Sequence, residues 1–159
     1  MSSPFGPQLI GETEKTLNAL LARYLEGSGL TEPQWVTLRI ADMLDGSVDA
    51  DGLAAAVADR AHFAGAANLV AEITSHGLLA NGRLTIAGRD LITAVQARIA
   101  NGTASIWDGL PDDDVAATAR VLNEVLRRAR TVLADATPAA TGTREHETLV
   151  EGRMTVGET

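Results

Sequence analysis

The dipeptide Asn81-Gly82, set between the short apolar runs Leu78–Ala80 and Leu84–Ile86, is the strongest constraint on how this chain can fold. A type I′ turn needs φ > 0 at both central residues, and Asn-Gly meets that need at least cost, so the segment predicts a tight β-hairpin. Almost everything else has helical spacing. A lone small hairpin after several helices and before two more is an uncommon order. It allows few architectures.

The helices follow from apolar periodicity and from their start and stop residues. Ile10, Leu17, Leu20, Leu21 and Tyr24 give a first helix over about 8–26, ended by Gly27-Ser28-Gly29. Residues 1–7 read as a loose leader. A second helix starts at Thr31, which forms a capping-box pattern with Gln34 and has Pro33 in its first turn. Trp35, Leu38, Ile40 and Leu44 supply its inner side, and Asp45-Gly46 closes it. Asp49 caps a third helix over about 50–59, with Leu53, Ala54 and Val57 inward. A fourth, about 62–76, buries Phe63, Ala66, Val70 and Ile73 and ends at Gly77, a C′ glycine. In this reading Gly65 lies inside that helix at a cost of about 1 kcal/mol relative to alanine. Gly88 opens a long helix to about Trp107 carrying Ile92, Val95, Ile99 and Ile106. After Gly109-Leu110-Pro111, Asp112, Asp113 and Asp114 start a last helix to about Ala134, with Val115, Leu122, Val125, Leu126 and Val132 on its apolar side. Carboxylates at a helix start cap free N–H groups and meet the positive end of the macrodipole, so the aspartate triad reads as capping and not as a cation site. Residues 135–159 lose large apolar side chains and read as a disordered tail.

Composition removes several function classes. There is no cysteine, so disulfides, thiolate nucleophiles and cysteine zinc sites are excluded. No apolar run approaches a membrane span, and no basic-then-apolar leader is seen, which predicts a soluble cytoplasmic protein. His62, His76 and His146 are scattered, and no three-ligand metal set, phosphate loop, nucleophile motif or paired-carboxylate signature appears. The expectation is a non-enzyme without metal or cofactor. One lysine against twelve arginines, with abundant alanine, reads as the codon bias of a GC-rich bacterial genome. The net charge of −8 runs against the basic face of most nucleic-acid binders.

The order helix, helix, short helix, helix, hairpin, long helix, helix resembles the MarR family of bacterial transcription regulators. Five segments carry the resemblance: Leu30–Leu38 (LTEPQWVTL), Gly52–Ala58 (GLAAAVA), Leu69–Leu79 (LVAEITSHGLL), Leu84–Leu91 (LTIAGRDL) and Gly109–Asp114 (GLPDDD). The resemblance implies a mainly α fold. A winged helix-turn-helix over about 31–90 would carry one short hairpin as the wing. N- and C-terminal helices, about 8–26 and 88–134, would form a dimerisation region, so that residues 1–134 make one domain. It further implies a homodimer binding a palindromic operator in double-stranded DNA, and control by a small aromatic or carboxylate effector.

On the resemblance, Arg60, His62, Asn68 and Arg83 are the DNA-binding candidates. Arg60 and His62 lie at the helix-turn-helix corner, Asn68 on the outer face of the recognition helix, and Arg83 on the wing. Arg60, His62 and Asn68 also read as ordinary surface residues, whereas Arg83 is the better candidate for a phosphate contact because little else on the wing could serve. Tyr24, Trp35 and Arg39 are candidates for an effector pocket, with Arg39 for a carboxylate; the favoured plainer reading has Trp35 as core and Arg39 as a solvated or interface charge. Two departures keep a second reading open. The wing is shorter than the family's, leaving Arg83 as its one cation. The outer face of the fourth helix, read as Ala64, Asn68, Ala71, Glu72 and Ser75, has no positive charge. The alternative is therefore a dimer of this fold with weak or lost DNA binding, acting as a ligand sensor or protein-interaction module.

Overall fold

The computed structural model describes residues 3–136. Helices α1 (Pro7–Leu25), α2 (Glu32–Leu44), α3 (Ala50–Ala61) and α4 (Ala66–Ser75) come first. The hairpin strands β1 (Leu79–Ala80) and β2 (Arg83–Leu84) follow, then α5 (Ile86–Trp107) and α6 (Asp112–Ala136). The described residues fall into two compact units, one ending at Asp108 and the other beginning at Gly109.

In the first unit, local chemistry sets the boundaries. The capping box of α2 is complete: Thr31 Oγ1 accepts from Gln34 N, while Gln34 Oε1 accepts from Thr31 N at 2.9 Å. Asp49 caps α3 by accepting from Gly52 N at 2.9 Å. Asn81 (φ 48) and Gly82 (φ 79) both take positive φ, and the antiparallel register pairs Leu79 with Leu84 and Ala80 with Arg83. The expected hairpin is present, though its second strand is Arg83–Leu84 and does not run to Ile86. Thr85 stops the strand by becoming the N-cap of α5, accepting from Gly88 N at 3.1 Å and donating to Gly77 O at 2.7 Å. The long helix thus begins at Ile86, two residues before the expected Gly88.

The largest correction falls on the fourth helix, which spans Ala66–Ser75 and not 62–76. His62 adopts a left-handed conformation (φ 54) as the C-cap of α3, and Gly65 (φ 75) turns the chain into α4. Gly65 is therefore a turn residue with a steric reason to be glycine, not a penalty inside a helix. Phe63 sits in the connection, half-buried against the core.

The core of this unit joins α1, α2, α3, α4, the hairpin and α5. Leu38, Leu53, Val57 and Ile73 are wholly inaccessible, with Trp35, Val70, Leu79, Leu84, Ile92 and Val95 around them. Leu25 is the most buried residue of α1, whereas the expected Leu17, Leu20, Leu21 and Tyr24 are half-buried. Ile106 is exposed.

In the second unit, α6 has no buried residue; Val115, Leu122, Val125 and Leu126 on its apolar side are all exposed. Its polar side carries a small ion cluster. Glu124 bridges Arg127 and Arg128 at 2.7 Å each, and these guanidinium hydrogen bonds hold its carboxyl down at about 2. The helix reaches Ala136, so the start of the expected tail, Asp135 and Ala136, is helical. The rest of that tail, from 137 on, lies outside the described residues.

Candidate nucleic-acid interface

The α3–turn–α4 corner sets the geometry of the site. α4 is a ten-residue helix, too short to persist alone, and it is held by tertiary packing. Ala66, Val70 and Ile73 point into the core. At 100° per residue the opposite face carries Asn68, Ala71 and Ser75, flanked by Ala67 and Thr74, and all five are exposed. Ser75 donates to Glu72 O at 2.7 Å and Thr74 to Val70 O at 2.8 Å, so both hydroxyl hydrogens are spent on the helix's own carbonyls.

Glu72 does not belong to that outward face. Its Oε1 accepts from Gln34 Nε2 at 2.9 Å, so its carboxylate is turned sideways toward α2. Gln34 is buried, and its two ends bridge the capping box of α2 to α4. Sequence periodicity placed Glu72 on the outer face because the helix phase leaves it at the border, and only the position of α2 decides the matter. Glu72 stays exposed at the border of that face, whose central residues are uncharged. Gln34→Glu would set two carboxylates against each other in a half-buried place. It is expected to lower stability by about 1–2 kcal/mol at neutral pH. Repulsion raises the carboxyl pKa values of the folded variant, so the loss shrinks as pH falls through them; chemical denaturation of both proteins at pH 7 and pH 4 checks the sign.

The other candidates are placed as follows. Arg60 lies in the last turn of α3 and His62 caps that helix, and both are exposed at the corner preceding α4. The Asn68 amide lies over Gly65. Arg83 is exposed but engaged, with Nη2 donating to Gly46 O at 2.8 Å. Arg60, His62 and Asn68 are thus gathered around one corner, while Arg83 is tied to the turn between α2 and α3.

The three effector candidates are not one constellation of free polar groups. Trp35 is part of the core, 7% exposed. Arg39 is half-buried with its guanidinium carbon 6.0 Å from the Trp35 ring centroid, and its Nη1 pairs with Asp42 at 2.7 Å. The Gln96 amide, with its oxygen toward Arg39, accepts from the same Nη1 at 2.6 Å. Tyr24 sets the hydroxyl end of its ring on Gly102 of α5, in space that a Cβ there would occupy. Gln96 is a polar neighbour of this region that sequence reasoning missed; it shares no helix with Arg39, so no spacing signal existed. Among the described residues no group of three metal-ligating side chains occurs, and no helix is long and apolar enough to cross a membrane.

No family model matches the sequence, and no curated protein matches it. Among solved structures, the chain is similar to CouR from Rhodococcus jostii RHA1, determined bound to p-coumaroyl-CoA. The TM-score is 0.61 at 20% sequence identity, over 74% of this chain and 88% of that one. Identity this low speaks to architecture alone, and the architecture agrees with the one that the sequence segments suggested. The chain has the mainly α, MarR-type winged helix-turn-helix fold of CouR.

Proposed function

We propose that this protein is a homodimeric, DNA-binding transcriptional regulator of the bacterial cytoplasm, controlled by a small aromatic or carboxylate ligand. The observation that carries the proposal is the α3–α4 corner. A short helix is fixed by its inner face and by Gln34, and it presents a smooth outer face with Asn68 at the centre and Arg60 and His62 at its entrance. Asparagine can pair with both polar atoms of an adenine edge in the major groove. Arg60 and His62 stand where a phosphate would approach the start of α4. The exposed apolar side of α6 supports dimerisation, because four large aliphatic side chains in a row are costly to leave in water. The effector part draws on CouR having been determined with p-coumaroyl-CoA, an aromatic acyl thioester.

The test is enrichment of duplexes from a random-sequence pool, followed by titration of the enriched duplex at about 50 and 200 mM salt. Two half-sites about ten base pairs apart are expected. Asn68→Ala is expected to weaken binding about tenfold and to relax preference at one base pair. Arg60→Ala should weaken all duplexes alike and make the salt dependence shallower by about 0.9 in log–log slope. A monomer by light scattering, or a pool without enrichment, removes this reading.

The alternative is a dimer of the same fold that has given up autonomous DNA binding. It is favoured by the uncharged centre of the outer face of α4 and by the engagement of Arg83 with Gly46. It predicts no enriched duplex together with a stable dimer.

A further inference from the structure

We infer that Arg83 is a positioning residue: it buckles the hairpin down onto the turn between α2 and α3, so that the wing braces the reading head from inside and is not an arm that reaches DNA. The bracing stands on contacts within the chain alone; the consequence for DNA rests on the function proposed above.

Three close approaches make the buckle. First, the Arg83 guanidinium donates to Gly46 O at 2.8 Å. Second, Asp45 (φ 44) and Gly46 (φ 71) are consecutive left-handed residues, and Gly46 leaves open the space that the guanidinium fills; a Cβ there would fall on the Arg83 side chain. Third, the hairpin tip is itself docked. Gly82 is buried, and a Cβ on it would stand 2.5 Å from Asp49 O and 3.0 Å from Ala50 N. Asp49 is the N-cap of α3, so the tip rests on the start of the first helix of the reading head. On the other side, Arg89 Nη2 donates to Leu84 O at 3.3 Å. Arg83 and Arg89 line a cavity of about 50 Å³ together with Asp42 and Asp45. With two residues per strand, the hairpin has a length of only about 7 Å.

Gly46→Asn separates the two roles of Arg83. Asparagine tolerates a left-handed backbone, and its Cβ displaces the guanidinium while leaving the charge in place. Amide hydrogen exchange of Arg83→Ala, Gly46→Asn and the double variant tests the brace without DNA. Each single variant should lose about fivefold in protection over residues 45–50 and 79–84, and the double variant should lose no more than either. Unchanged protection in both single variants overturns the inference. With the duplex enriched by the wild-type protein, both single variants should weaken binding about fivefold at every salt concentration, with unaltered slope. A slope shallower by about 0.9 in Arg83→Ala, with Gly46→Asn binding like wild type, overturns it by making Arg83 a phosphate contact. If no duplex is enriched, the proposed function fails while the exchange experiment still decides the brace.

Discussion

Ile73→Ala is expected to cost about 3–4 kcal/mol of folding free energy and, on the function proposed above, to abolish sequence-specific DNA binding before the protein unfolds. Ile73 is wholly inaccessible and is the largest of the three side chains that α4 buries. Truncation removes transfer energy and leaves a cavity that the surrounding helices close only in part. The functional loss exceeds the loss in stability because of helix length. Ten residues cannot sustain a helix without tertiary support, and Ala66 and Val70 alone supply little area. α4 should therefore fray while α2, α3 and α5 remain folded. Denaturant melts measure the first quantity. Hydrogen exchange over residues 66–75 measures the second, and protection there equal to that of the wild type would refute it.

Gly88→Ala is the second large effect, about 3 kcal/mol, or a fall in melting temperature on the order of 10 °C. A Cβ at Gly88 would collide with the backbone carbonyl of Leu78, which is already accepting from Thr85 N at 3.1 Å. The Leu84 side chain closes the space from another side. The nearer obstacle is backbone and cannot swing aside as a side-chain end could, and Leu84 is itself buried. Relief requires the hairpin to move away from the first turn of α5, breaking the Thr85 cap as it goes. Intrinsic helix propensity points the other way, since alanine in a helix is favoured over glycine by about 1 kcal/mol. A stabilised Gly88→Ala protein in thermal melts would show that the approach of Leu78 to α5 is loose.

These two positions also show what could be read from the sequence. Local signals were reliable. Asn81-Gly82 gave the turn, Thr31 and Gln34 gave the capping box, Asp49 gave the start of α3, and Gly77 (φ 74) gave the end of α4. Each is a chemical requirement met within a few residues. The start of α4 was misplaced because His62 and Gly65 both fit a helical stretch by composition, and left-handed backbone at His62 leaves no mark in hydropathy. The site was less legible than the fold, because its decisive contacts join distant segments. Nothing near Glu72 announces that Gln34 will draw it aside, and nothing near Arg83 announces Gly46. Asn68, Arg60 and His62 could be grouped as candidates because they flank one corner, which local order does encode.

The polar ties Gln34–Glu72 and Gly46–Arg83 span 38 and 37 residues, and both start from α2 or the turn that ends it. Each closes a loop of nearly the same length, and the two loops share residues 46–72, about two-thirds of either. Once one has closed, much of the chain entropy that the other would have to overcome has already been lost. The two ties should then form and break together, late on the folding path, after the local helices and the hairpin turn. Residues 34–83 would thus open as one cooperative unit. An agent that frees the end of α2 would release α4 and the hairpin in the same event.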